Sequence, residues 1–506
     1  MILNKSPDLI IAFYLRLLAV VYFCAFASLW PQLNGLYGDH GIAPVNLFLQ
    51  EAALANQNSI LPGLIKSPSF LLFAPQFSTL VAVTAAGCLL SLALFFAVLE
   101  PFVLLALYLC YLSIVSVGQD FLSFQWDMLL LESGFISIFV GRSRLFSFSP
   151  KSRGLAVLAL AWLTFRLMFS SGFVKLFTEP MDDSSWLRLT ALTYHFETQP
   201  LPTPLAIFCQ QMPLFLSKAA CAATLFIEIM VPFLLFTTAR LRRYAAISFC
   251  LMQVAIAASG NYGFFNLLSS ALALSWLQEQ DLDKFLQRPR LAPLKNWILS
   301  RSAFLENGRK ETIVLEKIIV YPAMFMIVFA SSTSLALTTC GRDFFYMLPA
   351  PARFAYSVCQ SWGISAGYGL FASMTRERPE LIIEGSADGA NYKPYEFVYK
   401  IGALDRPPPV IAPHMPRLDW QLWFEALNAS SGARPNRWFV SFLNGLAHND
   451  ECVLTLVQTN PCSQLPPRFL RVRIFNYELE TPSVMLRTGR WWRREEKGTY
   501  LSTRSW

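Results

Sequence analysis

Long apolar runs recur through the first two thirds of the chain, at residues 9–30, 76–99, 102–118, 124–140, 155–177, 218–237, 244–259, 263–277 and 314–337. A helix needs about 20 mainly apolar residues to cross a hydrocarbon core roughly 30 Å thick. In that medium every backbone polar group must be satisfied internally, so runs of this kind fold as spanning helices. About nine spans are expected, several of them short, with "LEPFV" at 99–103 and "SGNYGFF" at 259–265 as tight hairpins. Composition agrees, since 54% of the 506 residues are hydrophobic, more than soluble globular chains usually carry. The runs stop near Cys340, and residues 341–506 carry mixed charge with many Pro and Trp. The expected fold class is therefore a polytopic α-helical membrane domain, residues 1–340, followed by a soluble, mainly β, sandwich-like antiparallel domain, residues 341–506.

Charge placement gives an orientation. The net charge of +8 is dispersed between apolar segments, so no basic stripe for nucleic acid is formed. Basic loops stay on the cytoplasmic side of a membrane. Arg142, Arg144, Lys151 and Arg153, then Arg240, Arg242 and Arg243, then the segment 278–313 all fall on one side of a nine-span arrangement. The loops at 31–75 and 178–217 are poor in Lys and Arg and fall on the other. The N-terminus is expected in the cytoplasm and the C-terminal domain outside it. "AFA" at 25–27 has the form of a signal-peptidase site, but its apolar run of about 21 residues exceeds the roughly 7–15 of a signal core, so a retained anchor is expected.

Six ionisable residues lie inside the spans: Arg16, Asp127, Glu132, Arg166, Lys175 and Glu228. Each costs about 2.5–3.5 kcal/mol on insertion scales, so such groups face a bundle interior and pair. Three acids match three bases. Asp127 and Glu132 are five residues apart, roughly 140° around a helix, so they are expected to serve different neighbours. Structural ion pairs are the plain reading, and a functional cavity the alternative.

Other chemistry is sparse. The four His, at 40, 195, 414 and 448, are far apart in sequence and form no metal-ligand pattern. His195 and Glu197 are next-but-one neighbours and would face apart on a helix, and Trp186, Tyr194 and Phe196 suit a headgroup-level helix. There is no P-loop, dinucleotide fingerprint or G-x-S-x-G elbow, and no cofactor is expected. Cys340, Cys359, Cys452 and Cys462 permit two disulfides if the C-terminal domain faces an oxidising space. There is no C-x-x-C pair for thiol exchange. Alternation in "ELIIEGS", "YEFVYKI", "WFVSFL" and "RFLRVRIFNYELE" predicts strands, "SADGANY" a turn, and "DWQLWFEAL" at 419–427 a helical insertion. Trp491, Trp492, Arg493 and Arg494 are candidate contacts to a partner protein, because Trp and Arg anchor interfaces. The bland alternative has the Trp pair covering the domain itself or touching the bilayer surface.

The strings "GQDFLSFQWDMLLLESGF", "FRLMFSSGFVKLF", "LTALTYHFETQPLPTP" and "GNYGFFNLL" resemble, in order, segments of the lipase maturation factor family. So do "IIEGSADGANYKPYEFVYK", "PPPVIAPHMPRLDWQLWF" and "WWRREEKGTYL". The resemblance implies a membrane-embedded maturation factor or chaperone. Its partners would be the bilayer and a secreted, lipase-like client, with no nucleic acid. It would lie in the endoplasmic reticulum membrane with a lumenal C-terminal domain, or in a bacterial inner membrane with a periplasmic one. The chain is then no lipase and not expected to be an enzyme. "SGFVKL" at 171–176 is also similar to an element of the vitamin K-dependent gamma-carboxylase family, matching at Gly172, Lys175 and Leu176. This implies an alternative: an integral-membrane enzyme acting on a lipid or quinone-like substrate with Lys175 as base. A lysine at a span end also snorkels as a plain anchor.

Overall fold

The computed structural model describes residues 8–55, 59–143, 145, 148–306 and 316–504. Arg144, counted above among the loop bases, lies outside the described residues. The bundle is built from α1 (Asp8–Leu29), α2 (Phe77–Phe95), α3 (Glu100–Val117), α4 (Gln125–Ser137), α5 (Pro150–Phe177), α6 (Leu214–Ile229), α7 (Ala239–Ser259), α8 (Phe265–Ala273) and α9 (Tyr321–Cys340). Among the described residues seven helical segments are long and apolar enough to cross a membrane, and α4 and α8 are not among them.

The 13 residues of α4 and the 9 of α8 fall short of a full crossing, yet both return the chain to the level it left. Just past α4, the Arg142 backbone N–H donates to Glu100 Oε2 at 3.0 Å, at the start of α3. Past α8, Asp281 meets Arg243 at 2.7 Å near the start of α7. Both short helices are buried in protein, where irregular backbone at their ends is tolerated, so the hydrocarbon thickness does not set their length.

Position in the bundle follows side-chain character. Leu15, Leu18, Tyr22 and Phe26 of α1 are fully enclosed, as expected of a helix that is apolar all round. Its neighbours approach closely through small residues. A Cβ on Gly87 would sit 2.4 Å from the Phe26 ring, and one on Gly134 would sit 1.8 Å from the Tyr22 hydroxyl. Peripheral α6 and α7 instead turn Phe226, Leu251 and Val254 outward.

The C-terminal region holds β1 (Arg378–Ser386), β2 (Lys393–Pro394), β3 (Glu396–Phe397), β4 (Val457–Thr459), β5 (Phe469–Leu479) and β6 (Trp492–Arg504). An antiparallel sheet runs β2-β1-β5-β6, and β3 pairs with β4 apart from it. Register places Leu381 opposite Ile474 and Ile383 opposite Val472. Leu381, Ile383 and Val472 belong to the main core, beneath α10 (Arg417–Ser430) and α11 (Arg437–Ala447). The other face of the sheet carries a second apolar cluster with Ile382, Phe475 and Tyr477 beside ionic groups, Glu384 being bound to Arg471 at 2.9 Å and to Arg473 at 2.7 Å. In the predicted turn, Asp388 Oδ1 accepts the backbone N–H groups of Ala390 and Asn391 at 2.9 and 2.8 Å, and Gly389 takes φ +75°.

Two local expectations change. "WFVSFL" lies in helix α11, because Trp438, Phe439, Phe442, Leu443 and Leu446 form one buried stripe of helical period. Only Glu396 and Phe397 of "YEFVYKI" are strand. The two permitted disulfides are not formed: Cys340, Cys359, Cys452 and Cys462 are all free thiols. Cys359 is enclosed with Ala330 and Tyr356 in its own apolar cluster, while Cys462 Sγ lies against Gly385 of β1.

One buried apolar cluster continues from Leu15 and Tyr22 through Phe121 and Trp126 to Trp420, Trp438 and Ile383. Ring pairs bridge the join, Phe121 to Trp438 at 5.5 Å and Trp126 to Trp420 at 4.9 Å between centroids. Packing is thus continuous between the bundle and the C-terminal region.

Candidate functional site

Each of the six ionisable residues predicted inside the spans has an opposite charge beside it. Glu132 of α4 receives the Arg166 guanidinium from α5, both almost fully buried, and Tyr368 donates to its other oxygen at 2.7 Å. Arg166 also donates to the Ala366 carbonyl at 3.3 Å. Lys175 of α5 lies 2.8 Å from Glu228 of α6. Gly172 makes that meeting possible, since a Cβ there would sit 2.6 Å from Ile229 Cγ1 and 2.8 Å from Glu228 Cβ.

The other two residues pair outside the predicted set. Arg16 meets Glu100 at 2.8 Å, an acid that reads in sequence as part of a hairpin tip. Asp127 receives a bidentate guanidinium from Arg417, at 2.6 and 2.8 Å, and the Tyr111 hydroxyl at 2.5 Å. Arg417 comes from α10 of the C-terminal region, 290 residues later in the chain. Its own backbone N–H donates to Gln32 Oε1 at 2.7 Å, and Met415 donates to Ser28 at 2.7 Å. Span-internal charge was the only signal available for such partners, and Arg417 and Tyr368 carry none of it.

A cavity of about 320 Å³ opens between α5, α6 and α7. Lys175, Glu228, His195, Gln253, Tyr262 and Trp186 are the polar or aromatic part of its lining. The Lys175 ammonium stands 5.3 Å from the Trp186 ring centroid. His195, on the short helix Leu192–Thr198, is held to about 4 by burial and by the nearby Lys175 charge, so it is neutral at physiological pH. Glu197 on the same helix faces away, as predicted from spacing. Its carboxylate accepts the Leu479 backbone N–H of β5 at 3.1 Å, and burial raises it to about 7. Among the described residues no cluster of three potential metal ligands occurs.

Of the candidate partner contacts, Trp492 is buried at 1% exposure. It packs on Tyr477 and under the Arg378 guanidinium, so the surface contact expected of it is replaced by a core role. Trp491 is half-buried. Arg493 and Arg494 are exposed, Arg493 being paired with Glu478 and Arg494 donating to the Tyr477 hydroxyl at 2.9 Å.

Helices of spanning length around buried, mutually neutralised charges define a multi-pass membrane protein whose C-terminal region is fastened into one end of its bundle. Residues 10–284 match the lipase maturation factor transmembrane domain and residues 364–502 match the lipase maturation factor C-terminal domain. The chain belongs to the lipase maturation factor family. It is 32% identical to lipase maturation factor 2 of Gallus gallus, over 97% of this chain and 80% of that one. It is 33% identical to the Homo sapiens protein of the same name, over 95% and 80%, and 29% identical to lipase maturation factor 1 of Mus musculus, over 96% and 85%. No solved structure matches.

Removing one partner of a buried pair leaves an uncompensated charge, a loss of about 3–5 kcal/mol. Asp127→Asn is expected to lower stability by that order in detergent unfolding, and adding Arg417→Met to recover most of it. A second expectation concerns pH. Because the folded state raises Glu197 from 4.5 to about 7, its contribution is full below pH 4.5 and is lost as pH rises through about 7. Glu197→Gln should flatten the stability profile across that window, measured by thermal unfolding at several pH values.

Proposed function

We propose that the chain is a membrane-embedded maturation factor that holds secreted client proteins, lipases among them, while they fold and assemble. The observation that carries this reading is the ion-pair fastening of the C-terminal region to the bundle. Asp127–Arg417 and Glu132–Tyr368 couple the two parts, residues 1–340 and 341–506, into one platform. The intramembrane charges are thereby accounted for as structural groups. Such a protein acts through higher affinity for the unfinished client than for the finished one. The relatives' printed names support a maturation role, and the client-holding mechanism is the further step.

Orientation follows the loop charges. Arg142, Arg153, Arg242 and Arg243 gather at the end of the bundle opposite Asp127 and the C-terminal region, so that region faces the endoplasmic reticulum lumen, or the periplasm in a bacterium. The client surface is placed on β6, an edge strand of 13 residues paired on one side with β5, where an extended client segment can add to the sheet. Arg493 and Arg494 mark the accessible stretch of it, in place of the buried Trp492. Arg493→Glu with Arg494→Glu is expected to lower active secreted lipase severalfold while leaving lipase synthesis and the level of this chain unchanged. Unaltered lipase activity would count against β6, and labelling of exposed Cys340 by an impermeant maleimide from the cytoplasmic side would count against the orientation.

A second reading makes Lys175 a base acting on a lipid or quinone-like substrate, and its place on the cavity wall favours it. Against it, Lys175 Nζ is already engaged 2.8 Å from the buried Glu228 carboxylate, the arrangement of a structural ion pair. Lys175→Met should impair function under either reading. Lys175→Met with Glu228→Gln removes both charges, and it should restore function if the pair is structural and leave it abolished if Lys175 is a base, as read by client activity alongside protein level.

A further inference from the structure

Past α9 the chain does not leave the bundle at once. Helices α5 and α9 run side by side in the same direction: Ser149 Oγ donates to Glu316 Oε2 at 2.9 Å just before both helices, and Trp162 Nε1 donates to Ser331 Oγ at 3.0 Å within them. Cys340 at the end of α9 therefore stands at the end of the bundle marked by Phe177 of α5. From there the helix Ala350–Ser361 turns back along α9. Its Tyr356 and Cys359 share one buried cluster with Ala330, which lies midway along α9. The residues that follow make their contacts at mid-span. The Tyr108 hydroxyl of α3 donates to the Trp362 carbonyl, and Arg166 of α5 donates to the Ala366 carbonyl at 3.3 Å. Gly363 turns the chain between them at φ +62°, and a Cβ there would sit 2.7 Å from Leu131 Cδ1 of α4. The chain then rises again. The Gly369 N–H donates to Gln125 Oε1 at the start of α4, and the Met374 N–H to Glu179 Oε1 beyond the end of α5, each at 3.0 Å.

These contacts fix a depth. Tyr108 stands eight residues from Glu100 and nine from Val117, which is about 12–14 Å from either end of α3 at 1.5 Å per residue. The 12 residues of the helix Ala350–Ser361 extend about 18 Å, enough to cross one leaflet of a hydrocarbon core roughly 30 Å thick. The outward side of this helix carries exposed Phe354, and exposed Tyr346 and Met347 precede it. Helix α9, against which it lies, exposes Phe325 and Val328, so the two present one apolar surface at the same depth. The polar flank is accommodated separately. Ser357 and Gln360 line, with Ser334 and Thr338 of α9 and Arg342, a cleft of about 640 Å³. Irregular backbone such as 362–368 is tolerated at membrane depth where it is buried in protein or lines a water-filled cavity. Here Gly363, Ser365 and Tyr368 are buried, Gly367 lines the cleft, and Tyr108 and Arg166 satisfy two of the carbonyls.

We infer that residues 343–368 are a re-entrant segment, inserted into one leaflet from the side of the bundle that holds Cys340 and Phe177, with lipid acyl chains as the partner of the Phe354 surface. The membrane-embedded part of the chain then ends near Met374, past the Cys340 boundary expected from hydropathy. The test uses the full-length chain in phosphatidylcholine nanodiscs. A nitroxide side chain is placed in turn at Phe354, at Val328 of α9 and at Ala390 in the exposed turn after β1, carried by a ketone-bearing unnatural residue that leaves the cysteines unmodified. Molecular oxygen concentrates in hydrocarbon, and a polar nickel chelate stays in water. The ratio of oxygen to nickel accessibility at Phe354 is expected to match that at Val328 and to exceed that at Ala390 several-fold. A ratio equal to that at Ala390 overturns the proposal by placing the helix in water. A label at Phe354 shielded from both reagents overturns it as well, by placing a protein surface, from a partner or a second copy of this chain, where lipid is expected.

Discussion

The bidentate contact between Asp127 and Arg417 is the interaction on which the rest of the arrangement depends. It lies where α4 begins, in a place with no exposed surface to dilute either charge, and it ties a membrane helix to a helix of the C-terminal region. Around it the same two segments share Phe124, which packs on Trp126 and Trp420 and lies near the Arg417 guanidinium. An ion pair of this kind gains little over an apolar contact when both partners are present and is costly when one is missing. Its value is therefore in specifying one seating of α10 on the bundle. Tyr368 on Glu132 fixes a second point, and Arg378, which donates to the carbonyls of Glu197 and Pro200 at 2.7 Å each, fixes a third.

The two halves of the chain use charge differently. In the bundle Arg16, Glu132, Lys175 and Asp127 are each bound to one opposite charge on another helix. On the face of the sheet away from the main core, Glu380 forms ion pairs with Arg378 at 2.9 Å and with Lys400 at 2.7 Å, while Glu384 bridges two arginines. Shared partners suit a sheet, where residues two apart on a strand stand side by side, whereas isolated pairs suit helices that meet at one point. Both devices bury ionic groups, so β1 is enclosed along its whole length although it carries Arg378, Glu380 and Glu384.

Much of this was legible in the residues. Hydropathy located the helices because the bilayer imposes both their length and their composition, and the family strings carried the identity of the fold. Length failed for α4 and α8, whose surroundings are protein, so that the rule for a lipid-facing crossing did not govern them. The interior charges were visible as a set, and four of the six pair within it: Glu132 with Arg166, and Lys175 with Glu228. Asp127 could not be assigned, because Arg417 looks like an ordinary surface residue of a soluble domain until tertiary structure encloses it. Trp492 and the stripe of α11 were misplaced for a related reason: a short apolar string has the same composition in a strand edge, a core helix or a surface anchor.

The 290 residues between Asp127 and Arg417 set an order of events in biosynthesis. At about 5–20 residues per second of translation, α4 waits roughly 15–60 s in or beside the membrane with an acid that has no guanidinium to meet. During that interval the nascent bundle carries an unsatisfied charge, and only emergence of the last quarter of the polypeptide relieves it. A truncated or stalled chain would keep that charge, marking itself as incomplete to any machinery that surveys newly inserted helices.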